Sequence, residues 1–95
     1  MFNKFSSIPR PDLVDRAITF PKNKIDYKNY FLAVIKEALR IRANTKNKIV
    51  RLYLSYIIEH SENCMLEMDK DFPEQKKYTE HFENIEWAIG IVKKS

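Results

Sequence analysis

The sequence predicts an all-α protein: a small antiparallel bundle of three main helices, preceded by a short N-terminal helix and arm. Three observations lead there. The chain of 95 residues holds a single glycine, Gly90, whereas a sandwich of short strands needs glycine at its turns. Hydrophobic residues make up 44% and aromatics 13% of the chain, more than a disordered tail carries. Apolar side chains recur at intervals of three and four, the period of one helix face. At this length residues 1–95 form one domain, whose core is small enough to leave roughly a third or more of the unfolded-state surface exposed.

The first residues, MFNKFSSIP, space Phe2, Phe5 and Ile8 without a helical period, so 1–10 read as an arm that must lie on something. Pro9 and Pro11 lead into a short helix over about 11–19, since proline is tolerated where the first amides lack intrahelical acceptors. Pro21 closes it. Asp26 then offers an N-cap, with Ile25 and Tyr30 spaced as a hydrophobic staple, and opens a helix over 27–43. Its stripe of Tyr27, Phe31, Val34, Ala38 and Ile41 is widened by Leu32, Ile35 and Leu39.

Asn44 and Thr45 break the pattern and can cap the next helix, 46–70. There Ile49, Tyr53, Tyr56, His60 and Cys64 make one row, with Val50, Leu54, Ile57, Met65 and Met68 close beside it. Asp71 precedes Glu74 by the spacing of a capping box, and Pro73 suits a first turn, so the last helix is expected over 73–92. Tyr78, Phe82, Ile85, Ile89 and Val92 repeat at 4, 3, 4, 3, a seam for an antiparallel neighbour.

The lone Cys64 excludes an internal disulfide. The N-terminus has no apolar run of the kind a signal peptide needs. Arg51 and Ser55 interrupt the longest apolar stretch, 49–58, so no membrane span and no membrane partner is expected. The cytoplasm is the expected compartment.

Charge is segregated along the chain. Residues 1–58 hold twelve Lys or Arg against four Asp or Glu, residues 59–92 hold three against nine, and Lys93 and Lys94 complete the net +4. In an up-down arrangement Arg40, Arg42, Lys46, Lys48 and Arg51 gather at one pole with Lys93 and Lys94. Arg40, Arg42, Lys93 and Lys94 oppose the negative ends of helix dipoles. Lys46, Lys48 and Arg51 fall at a helix N-terminus, where a cation is unfavourable, so local helix energetics do not explain them. Glu67, Asp69 and Asp71 likewise crowd a C-terminus.

Such polarity points to surfaces that steer a protein partner. A nucleic-acid or nucleotide site on the basic pole is the alternative, opposed by nine carboxylates that would repel a duplex lying along the domain. Trp87, about 200° around the helix from the seam at Ile85, shares a row with Asn84 and Ile91 and is expected to point outward. Either the arm's Phe2, Phe5 and Ile8 fold over it, or it anchors a partner or a second copy. Glu59, Glu62 and Glu83 complete the expected partner surface.

Catalytic and metal chemistry find little support in the residues. His60, Cys64 and His81 are spaced to meet across the turn as three zinc ligands, but no fourth is evident, and no metal or cofactor is expected. Cys64 in an apolar seam has a raised thiol pKa and makes a poor nucleophile. The carboxylate pairs Asp12 and Asp15, Glu59 and Glu62, and Glu80 and Glu83 lack contrasting environments that would separate an acid from a base, so no enzyme is expected. In size, class and charge polarity the chain resembles the small helical inhibitors of bacteria and phages, the immunity, antitoxin and anti-defence proteins. That resemblance implies inhibition by binding another protein. The positive net charge departs from the acidic immunity proteins that mimic nucleic acid.

Overall fold

The computed structural model describes Phe5, residues 7–9 and residues 22–94. Three helices follow in order: α1, Lys22–Asn44; α2, Lys48–Met68; and α3, Gln75–Lys94. Among the described residues there is no strand, and no helix is long and apolar enough to cross a membrane. The expected helix at 11–19, its carboxylates Asp12 and Asp15, and Phe2 lie outside the described residues. α2 packs against both α1 and α3, and its short connections at 45–47 and 69–74 make each pairing antiparallel.

α1 starts at Lys22, five residues before the expected position. Asp26 is therefore inside the helix rather than capping it. Ile25 is exposed, so it forms no staple with Tyr30, which is buried. Tyr27, Tyr30, Phe31, Val34, Ala38 and Ile41 are the buried face. Leu32, 53% exposed, and Leu39 lie outside it, so the stripe is narrower than composition suggested.

The cap of α2 is Asn47, not Asn44 or Thr45. Its Oδ1 accepts the amides of Ile49 at 3.0 Å and Val50 at 3.3 Å, satisfying two donors that have no acceptor within the helix. Thr45 Oγ1 accepts the Asn47 amide at 3.3 Å, and Asn44 Nδ2 donates to the Arg40 carbonyl at 2.8 Å. The two candidates thus shape the turn that presents the true cap.

The buried row of α2 is Val50, Leu54, Ile57, Ser61, Cys64 and Met68. Tyr53, Tyr56 and His60 are half-buried along its flank, and Ile49 at their head is exposed. Of α3, Tyr78, Phe82, Ile85, Ile89 and Val92 are all buried, as their 4, 3, 4, 3 spacing predicts, joined by Ala88. The Phe82 ring joins α3 to α1: it meets Tyr27 at 6.1 Å, Tyr30 at 5.4 Å and Phe31 at 5.9 Å between centroids. Phe5 from the arm is buried in the same core, and Ile8 packs on it.

One buried group lacks a partner among the described residues. Ser61 is fully buried and its Oγ makes no hydrogen bond. A hydroxyl taken from water without compensation costs about 1–3 kcal/mol. Ser61→Ala is therefore expected to raise stability by about 1 kcal/mol, read as a higher urea midpoint with an unchanged slope. Loss of stability on that substitution would show that the hydroxyl is bonded.

Candidate functional site

The three arginines of the basic pole are engaged within the protein. Arg51 Nη1 donates to the carbonyl of Arg42 and, at 3.2 Å, to that of Thr45. These carbonyls lie in the last turn of α1 and the connection after it, where the helix leaves acceptors unsatisfied. Arg51 thus has the local reason that its position at the N-terminus of α2 seemed to lack: it closes the neighbouring helix end. Arg42 Nη1 donates to Ser55 Oγ at 3.1 Å, holding α1 to α2. Arg40 pairs with the Glu37 carboxylate one turn back, with Nε at 3.0 Å. Lys46 and Lys48 are exposed, as are Lys93 and Lys94.

Two acids at the opposite pole are likewise structural. Glu67 is buried, and its Oε2 accepts the Glu74 amide at 3.0 Å while Lys70 Nζ donates to Oε1 at 3.0 Å. The bond to the residue before α3 comes from Glu67, seven residues upstream, rather than from Asp71. Hydrogen bonds from the Glu74 amide and from Lys70 hold the Glu67 carboxyl below its ordinary range. A depressed carboxylate contributes stability above its unfolded pKa and loses it as pH falls through the folded value, so this corner loosens only in acid. Asp69, the C-cap of α2, pairs with Lys28 of α1 at 2.6 Å.

Between the poles, α2 and α3 bring two histidines together. His60 Nδ1 lies 3.0 Å from His81 Nδ1. Cys64 does not join them: its buried thiol points to the Tyr78 carbonyl at 3.5 Å, and burial pushes its pKa up to about 12. Among the described residues no three His, Cys, Asp or Glu side chains form a metal-binding group.

The histidine bond needs one ring as N–H donor and the other as neutral acceptor. A second proton breaks it and sets two positive charges face to face. Desolvation, followed by the field of His81, lowers the pKa of His60, and Glu59 opposes both. The folded state then binds fewer protons than the unfolded one between the lowered pKa and the ordinary value near 6.5, so stability falls as pH drops through that window. The midpoint of thermal unfolding is expected to fall between about pH 7.5 and pH 5.5, and to fall less in His60→Gln. Equal slopes for the two proteins would remove the pair from the pH dependence.

The same seam carries an aromatic row. Trp87 lies against Tyr53 at 5.6 Å and 73°, and against Tyr56 at 6.2 Å and 72°; Tyr56 in turn lies 4.2 Å from His60. Trp87 remains 55% exposed. Its described ring contacts are the tyrosines of α2, whereas Phe5, expected as its cover, is in the core. Ala88, next to Trp87, is fully buried and its small side chain lets the helices approach.

Around this row the α2 flank exposes Ile49 and Leu52, at 62% and 67%. Asn84 and Ile91, half-buried, share the α3 flank with Trp87. Glu59 is exposed one turn beyond Tyr56, Glu83 one turn before Trp87, and Glu62 one turn beyond Glu59. Trp87, Asn84, Ile91, Glu59 and Glu83 thus fall around one α2–α3 face, whereas Glu62, two turns from Ser55, lies on the flank of α2 that meets Arg42 of α1. Sequence reasoning missed Ile49, Leu52, Tyr53 and Tyr56 as members of the α2–α3 face; it read the tyrosines as edging the core, where they do pack half-buried, without seeing that they also hold Trp87. Leu52, apolar yet on neither row of α2, was the available signal.

In comparisons with protein-family models, curated proteins and solved structures, the chain matches none of them.

Proposed function

We propose that this chain is a non-enzymatic protein-binding module of the inhibitor type, which docks through the α2–α3 face. The observation that carries the reading is Trp87, 55% exposed yet held edge to face by two tyrosines. A large ring already fixed by its neighbours loses little freedom on binding, and tryptophan and tyrosine are enriched among the residues that dominate interface energies. Leu52 and Ile49 extend the apolar surface, and Glu59 and Glu83 give it a polar border of the kind that excludes water from an interface. The immunity, antitoxin or anti-defence class is the finer form of this proposal and rests on size, helical class and charge polarity.

Nucleic-acid binding through Arg40, Arg42, Lys46, Lys48 and Arg51 is less favoured, because the three arginines are engaged within the protein. The two readings differ in their response to salt and to substitution. With partner captured from the organism that makes the chain, Trp87→Ala should release it, and added salt should mainly slow association. Recovery of nucleic acid alone, with affinity falling steeply in salt and lost in the joint Lys46→Glu and Lys48→Glu variant, would overturn the proposal.

A further inference from the structure

We infer that the free chain pairs with a second copy of itself through the α2–α3 face, about a two-fold axis that crosses the face near Tyr53 and Trp87. This goes beyond the docking of another protein, since it concerns the chain alone. The first argument is spacing. Lys48 and Glu59 of α2 are eleven residues apart, and so are Glu83 and Lys94 of α3. Eleven residues make three helical turns to within about 20°, so each pair lies on one side of its helix and spans about 16 Å. All four side chains are exposed, with Leu52, at 67%, between the α2 pair and Trp87, at 55%, between the α3 pair. The midpoints of the two spans fall at 53–54 and 88–89, beside the contact between the Tyr53 and Trp87 rings.

The second argument is symmetry of charge. α2 and α3 run antiparallel, so both lysines lie at one end of the face and both glutamates at the other. A two-fold rotation through the middle reverses the face end for end. It sets the lysine end of each copy on the glutamate end of the other, while the apolar middle meets itself. A second copy laid on in the same direction would put like charge on like. No ion pair joins any of these four side chains to another described residue. Lys48 moreover begins α2, where the helix dipole disfavours a cation. Glu80, exposed one turn before Glu83, adds to the acidic end. Lys76 lies about 10 Å beyond Glu83 along α3, past the ends of the reversed helices. Glu86 and Lys93 are about 100° or more around α3 from Trp87, and Glu62 is on the flank toward α1, so none of the three borders the face.

So short a face is at the small end for a specific interface, and the self-pair is expected to be weak, forming as the whole chain is concentrated from about 10 μM to about 1 mM. Sedimentation equilibrium over that range should show a monomer passing to a dimer, and Trp87→Ala should weaken the association about tenfold or more. One variant carries Lys48→Glu with Lys94→Glu, so that all four charges are negative; another carries Glu59→Lys with Glu83→Lys, so that all are positive. Each alone should stay monomeric, with a helical spectrum like that of the parent, and their mixture should pair one to one in native mass spectrometry. A parent chain still monomeric at about 1 mM, a dimer indifferent to Trp87→Ala, or charge variants that pair alone or fail to pair when mixed would each overturn the self-pair. A monomeric chain whose partner complex depends on Trp87 would remove the self-pair and leave the docking face standing. A dimer that meets every expectation beside a partner held elsewhere would do the reverse.

Discussion

Phe82→Ala is expected to destabilise the bundle by about 3–5 kcal/mol, the cost of deleting a buried phenyl ring. The ring is 1% exposed and touches three aromatic residues of α1, so its loss leaves a cavity where α1 and α3 meet. Tyr27, Tyr30 and Phe31 are large and ring-shaped and cannot collapse readily into that space. Domains of this size are stable by about 5–15 kcal/mol, so the variant should sit near the threshold of folding at room temperature. Urea unfolding followed by far-UV circular dichroism measures the loss. Leu52→Ala, at a position 67% exposed, is the control and should stay within about 0.5 kcal/mol of the parent. A cost below about 1 kcal/mol for Phe82→Ala would mean that α3 does not close on α1 through this ring.

Trp87→Ala is expected to reverse that pattern. Its effect on folding should be modest, because more than half of the side chain is already in water. Its effect on the partner complex should be about 2 kcal/mol or more, roughly a thirtyfold loss of affinity, as for a truncated aromatic anchor. Joint replacement of Lys46 and Lys48 by glutamate should change affinity far less and act chiefly on the association rate. Calorimetric titration of the complex separates these cases. A small loss for Trp87→Ala beside a large loss for the lysine pair would place the contact on the basic pole.

How far the sequence foretold this arrangement differs from helix to helix. α3 was legible because its apolar residues form a single seam, and all five seam positions are buried. α2 was ambiguous, because two adjacent rows of apolar residues run along it and only the positions of α1 and α3 decide which is core. Ser61 and Glu67, polar but buried, further disguised the true row. The roles of Arg51 and Glu67 were not legible at all. Each side chain satisfies backbone groups that lie six to nine residues away across a turn, and no local propensity encodes such a bond. The meeting of His60 and His81 was foreseen by counting back from and forward to the turn. The failure of Cys64 to join them follows from its burial against Tyr78. Trp87 was placed outside the seam correctly, while the tyrosines that hold it were read only for their contact with the edge of the core.

The central claim is that the α2–α3 face holds the partner. Site-specific photo-crosslinking of the complex tests it most directly, with a photoreactive residue placed in turn at Leu52, Glu83, Lys46 and Leu32, all exposed and spread over different sides of the bundle. The docking face predicts crosslinks to the partner from Leu52 and Glu83 and none from Lys46 or Leu32. Crosslinks from Lys46 or Leu32 with none from Leu52 and Glu83 would contradict it.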